Sequence, residues 1–298
     1  MRKICLTFLV IFSFLFTFLQ AKAEGPSIYK IMTCNIRITG LPDDAAFPER
    51  IWKNRRDVSV NTILSKNPDI FCMQEVIYDS YKYFKEKFKD YTSYGFAGPE
   101  MDPFTSGYHF IGKNVIFYRT ARFELVGSGC YWLSETPLVA GSSSWGTARA
   151  RHCNWVRLRD KRTGKEFRIL DIHLDHKSDS ARRKQIKMVT DECSQYAPQF
   201  PQIVCGDFNA GIESAPIKYI RTVEGWKEML ETIYGLKELG FSYHGFKGED
   251  FEKKKNQRID FMFYRGAMDI LDAQYVKDHK GKIYPSDHYF LMANFKIK

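Results

Sequence analysis

Apolar residues in this chain fall into short unbroken runs, and most of those runs stop on a polar side chain. Gln202-Ile203-Val204-Cys205-Gly206 leads straight into Asp207, Phe208 and Asn209. A continuous apolar run of that length reads as a strand buried on both faces. Such a strand delivers the residues after it to the carboxyl edge of the sheet, where open α/β sheets hold their ligands. The same pattern recurs at 28–37, with Asn35 polar among apolar neighbours, and at 69–73, which ends in Gln74-Glu75-Val76. It recurs again at 167–172, which ends in His173-Leu174-Asp175-His176, and at 258–264, which carries Asp260. The last strand, 289–297, is preceded by Ser286-Asp287-His288; further strands are predicted at 115–118, 123–126 and 153–159.

A helical period predicts helices over 49–65, 78–89, 180–196, 215–220 and 225–234. The first has Trp52, Val60, Ile63 and Leu64 on one face, Arg55 and Arg56 off it, and Asn67-Pro68 as its stop. Strand, helix, strand therefore occurs twice, over 28–76 and 167–207. Each copy implies two parallel strands joined by a crossover. In the second copy His173 stands where Asn35 stood, and Asp207 where Glu75 stood. An α/β architecture of two similar halves follows, with the two sheets face to face and the helices outside.

Three connections stand out. The stretch 95–113 is rich in Gly, Pro and aromatic residues, as packed functional loops are. A Ser/Gly loop carries Trp145, Arg149, Arg151 and His152, groups that suit phosphate and ring contacts, with Arg151 the foremost candidate. The tip 247–255 reads as a solvated charged loop.

Composition adds a compartment. Met1-Arg2-Lys3, an apolar run from Ile4 to Leu19 and the small-residue site Ala21-Lys22-Ala23 form an export signal cut after Ala23, leaving one domain over 24–298. A secreted or periplasmic protein is expected. The apolar run is shorter than the ~20 residues a spanning helix needs. Cleavage takes away Arg2, Lys3 and Lys22 and no acid, so the formal charge falls from +10 to +7. A basic exported protein suits an anionic substrate. Cys34, Cys72, Cys153 and Cys205 lie inside apolar runs and read as small core residues.

Six places now hold polar residues at or within apolar strands: Asn35, Glu75, His173, Asp207 with Asn209, Asp260, and Asp287 with His288. Buried carboxylates are costly unless paired or bound to a metal. Oxygen donors point to a hard cation, Mg²⁺ or Mn²⁺, and the chain lacks Cys/His spacing for structural zinc.

With Thr33-Cys34-Asn35-Ile36-Arg37, Gln74-Glu75-Val76, His173-Leu174-Asp175-His176, Gly206-Asp207-Phe208-Asn209, Arg258-Ile259-Asp260-Phe261 and Ser286-Asp287-His288 in this order, the chain resembles the endonuclease/exonuclease/phosphatase family. That family includes deoxyribonuclease I, apurinic endonucleases, neutral sphingomyelinases and inositol polyphosphate 5-phosphatases. The resemblance implies a four-layered α/β sandwich. It also implies Glu75 as the main ligand of the cation, Asn35 fixing that ligand or the phosphate, and Asp287 completing the metal shell. Asp207 would activate the attacking water, with Asn209 holding water or phosphate in line. His173 and His288 would donate to the phosphoryl oxygens as charged imidazoles, Asp260 would orient His288, and Arg151 would contact a substrate phosphate. The 95–113 loop departs from the shorter, more acidic version in related secreted bacterial members, and the tyrosine motif of the apurinic endonucleases is absent.

The expectation is a secreted phosphoesterase that needs Mg²⁺ or Mn²⁺ and hydrolyses a phosphodiester or phosphomonoester. The substrate would be a small molecule, a lipid head group or nucleic acid. The alternatives are an extracellular nuclease and a non-catalytic binding protein on the same fold. No stretch implies a stable protein partner, and a monomer is expected.

Overall fold

Each apolar run forms a strand because its side chains find partners on both faces. The strands are β1 (Ile28–Asn35), β2 (Ile70–Val76), β3 (Tyr91–Tyr94), β4 (Lys113–Arg119), β5 (Phe123–Trp132), β6 (His152–Asp160), β7 (Glu166–His173), β8 (Gln202–Asp207), β9 (Lys227–Glu228), β10 (Asp260–Arg265), β11 (Met268–Val276) and β12 (Phe290–Ile297). The helices are α1 (Trp52–Lys66), α2 (Tyr78–Lys87), α3 (Asp179–Cys193), α4 (Ala215–Thr222) and α5 (Met229–Tyr234). The computed structural model describes residues 27–104, 111–223, 225–236, 239–252 and 257–298. The expected export signal, 1–23, and parts of the loops 95–113 and 247–255 lie outside the described residues.

Two mixed six-stranded sheets result, ordered β11-β12-β1-β2-β4-β3 and β5-β6-β7-β8-β10-β9. Each has a parallel pair at its centre, β1 with β2 and β7 with β8, joined by the crossover helices α1 and α3. Alternation along the strands sorts side chains into layers. Ile31, Cys72, Ile169, Ile203 and Cys205 point between the sheets. Met32 and Phe71 pack under Val60, Ile63 and Phe84 of α1 and α2. Leu170 and Val204 pack under Ile186, Val189 and Ile217 of α3 and α4. The expected four-layered α/β sandwich is the observed architecture.

Departures from the sequence expectation have local causes. Strand β3 is four residues long and β11 is a half-exposed edge with a bulge between Ile270 and Asp272, so neither shows a clean period. Strand β5 extends past 126 through Gly127 and Gly129, residues that read as loop. Gly129 is needed because a Cβ there would lie 2.7 Å from Nε1 of Trp155 on the neighbouring strand. Leu64 is 45% exposed rather than on the packed face of α1, whereas Arg55, expected outside, is fully buried. Its guanidinium donates to the carbonyls of Ile36, Arg37, Arg50 and Pro285, tying the loop after β1 to α1. The core cysteines are free and buried as expected, and no helix among the described residues is long and apolar enough to cross a membrane.

Candidate active site

The carboxyl ends of both parallel pairs open on the same side of the sandwich. In the β7–β8 pair His173 lies opposite Asp207, and in the β1–β2 pair Asn35 lies opposite Gln74. Register therefore makes Gln74, not Glu75, the counterpart of Asp207. Gln74 points between the sheets and donates to Thr33 and to the fully buried Asp171. Plain alternation would send Glu75 to the helix layer. Instead, the β2–β4 register shifts between Met73 and Val76, and Glu75 takes a left-handed backbone with φ 65°. That bulge turns its carboxylate into the cleft.

The cleft has a volume of about 420 Å³ and brings together Glu75, His173, Asp207, Asn209, Asp287, His288 and Arg151. Asn35 and Asp260 stand behind its wall. Asn35 Nδ2 donates to Glu75 Oε1 (3.2 Å) and Asp207 Oδ2 (2.9 Å), a bond that joins the two sheets. The Asn35 oxygen accepts from Arg37 N, so every polar atom of its side chain has a partner and Asn35 braces the two carboxylates. Asp260 Oδ2 lies 2.8 Å from His288 Nδ1. Asp207 Oδ1 accepts from Asn209 N at 2.8 Å, and Oδ2 lies 3.4 Å from His173 Nε2 and 4.0 Å from His288 Nε2.

These contacts set the charges. Burial alone would discharge His288, but Asp260, Asp287 and Asp207 outweigh it and raise the imidazole to about 10. Burial and the neighbouring Asp260 push Asp207 up to about 7, against the pull of His288. Burial would also raise Glu75; the Ile38 N–H at 2.6 Å and the charges of His288 and Arg37 instead bring it below the ordinary range. His173 differs from expectation: burial, reinforced by Arg151 and His288, holds it well below its usual value and therefore neutral. The amide of Asn209 donates to Leu174 O and approaches His173 Nε2 at 2.9 Å, which places the imidazole proton on Nδ1.

Donor chemistry here fits a divalent cation. One atom each from Glu75, His173 and Asp207 lies within 4.8 Å of the others, as does one each from Asp207, Asp260 and His288. In the second group His288 is committed to Asp260, and in the first His173 Nε2 accepts from Asn209, which leaves the carboxylates of Glu75 and Asp207 as the donors for a cation. Asp287 is not in either group: Arg37 Nη1 lies 3.4 Å from it and the Ser286 hydroxyl donates to it at 3.2 Å.

Arg151 reaches the cleft from the loop before β6 and is 9% exposed; its Nη2 lies 3.3 Å from His176 Nδ1, and its Nε is buried with no partner. His152 begins β6 and faces away, with its ring against the backbone N–H of Asn114. The sequence reading assigned no role to Arg37, Tyr243 or Gln257, all of which line the cleft. Arg37 carried a signal in its place two residues after Asn35. Tyr243, whose ring packs on that of His288 at 5.2 Å, lies in a stretch without period and carried none.

A six-plus-six stranded sandwich that hands carboxylates, an amide and imidazoles from both sheets to one cleft defines a class of α/β protein suited to metal-supported chemistry on an anion. The profile of the Endonuclease/Exonuclease/phosphatase family matches residues 32–288, and the chain belongs to that family. Among curated proteins, Nocturnin of Drosophila melanogaster is 23% identical over 297 residues, covering 83% of this chain and 42% of its own length. Human Nocturnin is 24% identical, with coverage of 83% and 58%. The chain thus spans about half the length of these relatives. The structure of a Bacteroides thetaiotaomicron endonuclease/exonuclease/phosphatase family protein superposes with a TM-score of 0.80 at 24% identity, covering 92% of this chain and all of that one. A mannosyl-6-phosphatase of the same organism superposes with a TM-score of 0.78 at 25% identity, covering 90% and 99%.

Proposed function

We propose that the protein is a divalent-metal-dependent phosphoesterase that hydrolyses a small phosphate ester by in-line attack of water, and that cleavage of residues 1–23 exports it. One observation carries the reading: Glu75 and Asp207, from different sheets, are held by one Asn35 amide with His173 in reach of both. Buried acids gathered this closely are stable when they share a cation.

Glu75 would be the main residue holding Mg²⁺ or Mn²⁺, with the Asp207 carboxylate beside it; bound there, the ion would supply Lewis-acid polarisation of a phosphoryl oxygen. Asp207 takes the proton of the attacking water, and burial beside Asp260 raises its carboxyl in the direction that task needs. Asn209 orients the water or a phosphoryl oxygen. His288, kept charged by Asp260, donates to the phosphoryl group as negative charge builds on it, and Arg151 presents a second positive group from the other side of the cleft.

A small ester is favoured over nucleic acid because one of the cleft's guanidinium groups, Arg37, is already neutralised by Asp44 and Asp287, whereas a phosphate backbone calls for a run of free cations. The similar mannosyl-6-phosphatase is by its name a phosphomonoesterase. The test is turnover of an aryl phosphodiester, a sugar phosphate, plasmid DNA and RNA, each with Mg²⁺ and with chelator. Mg²⁺-dependent release from the small esters is expected; preferred cleavage of DNA or RNA selects a nuclease instead, and no turnover of any substrate overturns the reading. N-terminal sequencing of exported protein should begin at Glu24.

A further inference from the structure

Next to the catalytic cleft lies a second cavity of about 550 Å³. The two share Ile38 and Leu41 as a common wall. They are also one bond apart, since the Ile38 N–H that borders the cavity donates to Glu75. Ile38, Leu41 and Ile77 form an apolar cluster separate from the three cores of the sandwich, each residue 8% exposed. Their packing serves this cavity rather than a sheet. Ile51 and Trp52 add to the apolar lining.

The cavity is built rather than incidental. Arg55 ties down the carbonyls of Ile36, Arg37 and Arg50, fixing both ends of the loop that forms the wall. Arg50 stacks 3.8 Å from the Phe47 ring centroid at the cavity's rim. A concave, largely apolar surface beside a polar reaction site is the usual make-up of a small-molecule subsite. The charges on the lining balance, Asp44 and Asp79 against Arg50 and Arg55, so this side offers no net positive charge to a second phosphate. The opposite side of the cleft, with Arg149, Arg151 and His176, is basic.

We infer that this cavity is the specificity subsite of the phosphoesterase and receives a flat uncharged ring, aryl or nucleobase, carried by the phosphate ester. The inference rests on the phosphoesterase reading. With the phosphorus at Glu75 and Asp207, one substituent passes over Ile38 and Leu41 into the cavity while the anionic remainder faces Arg151. Removing a ring from water against three aliphatic side chains exceeds the gain for a methyl group by several buried carbons, enough for at least ~10-fold in affinity.

Calorimetric binding of non-hydrolysable phosphonates to the full chain with Mg²⁺ tests this. Phenylphosphonate and a nucleoside phosphonate should each bind at least ~10-fold tighter than methylphosphonate and a hexose phosphonate, the tighter of the first two identifying the ring. Two variants remove the margin by different means. Ala45→Trp fills the cavity from its exposed rim. Ile51→Asp charges it while giving α1 the N-cap side chain it lacks, so the fold is retained. Both should leave methylphosphonate binding unchanged. Equal affinity for phenyl and methyl phosphonates, a preference for the hexose, or a ring preference that survives both variants overturns the subsite and leaves the phosphoesterase standing. Failure of every phosphonate to bind overturns both.

Discussion

The two strand–helix–strand units share a topology but deliver their acids differently. In β7–α3–β8 the register does the work: His173 and Asp207 are direct partners at the ends of paired strands, and the one irregular backbone position before Asp207 is a glycine. The tight point is Gly206, where φ is 137° and a Cβ would lie 1.9 Å from the carbonyl oxygen of Ile172. In β1–α1–β2 the direct partner, Gln74, is spent between the sheets, and Glu75 reaches the cleft only through a bulge and a left-handed backbone that glutamate rarely adopts. Arg37 and Asn209, also at the site, have positive φ as well. Strain of this kind persists where surrounding structure over-determines it, and it gathers at functional sites. One half therefore presents its acid by fit, and the other by stored strain.

Breaking either acid should have the largest effect. Glu75→Gln and Asp207→Asn are each expected to lower turnover by at least ~10²-fold, and His288→Ala similarly, as losses of electrostatic or acid–base groups do. Steady-state kinetics with saturating Mg²⁺ checks this, and wild-type rates in all three would refute the assignment. Chelation should abolish turnover and Mg²⁺ restore it.

Next in size is Gly206→Ala. Its Cβ would meet backbone rather than a flexible side chain, so a loss of ~3 kcal/mol or more is expected, read as a lower urea midpoint. An unchanged midpoint would mean that the second unit has slack that its register does not show.

Acid should weaken the fold through histidines outside the cleft. His152 and His244 are fully or nearly fully buried, and burial lowers both to about 3 from 6.5. The unfolded chain thus binds more protons between these values. Their contribution is fully present above pH 6.5 and is lost as pH falls toward 3, by ~1.4 kcal/mol per unit for each. Denaturation midpoints at pH 7.5, 6 and 5 should fall, and His152→Asn should make the slope shallower.

The smallest effect separates the two units directly. Asparagine tolerates left-handed backbone better than glutamate or glutamine, so Glu75→Asn should be more stable than Glu75→Gln by ~1 kcal/mol while both are inactive. Equal melting temperatures would show that the bulge stores no strain.

Much of this was legible in the chain. Continuous apolar runs identified the central strands, because a strand covered on both faces has no room for polar side chains. Polar residues interrupting those runs identified Asn35, Glu75, His173, Asp207, Asp260 and His288, because such groups are too costly inside a sandwich to occur there without use. Edge strands β3 and β11 escaped because a half-exposed edge tolerates any residue, and Tyr243 because its segment is placed by packing on His288 rather than by a period.

The sequence by itself determined which side chains are polar where apolar ones are due, and hence the layers and the set of groups at their edges. Tertiary structure alone decided how those groups behave: that Asn35 joins the acids of the two sheets, that Glu75 enters through a bulge, that His173 is neutral while His288 is charged. Local sequence fixes burial through the periodicity of a single element, whereas charge and hydrogen-bond direction depend on distant neighbours, such as Asp207, which accepts from Asn35 across 172 positions of the chain.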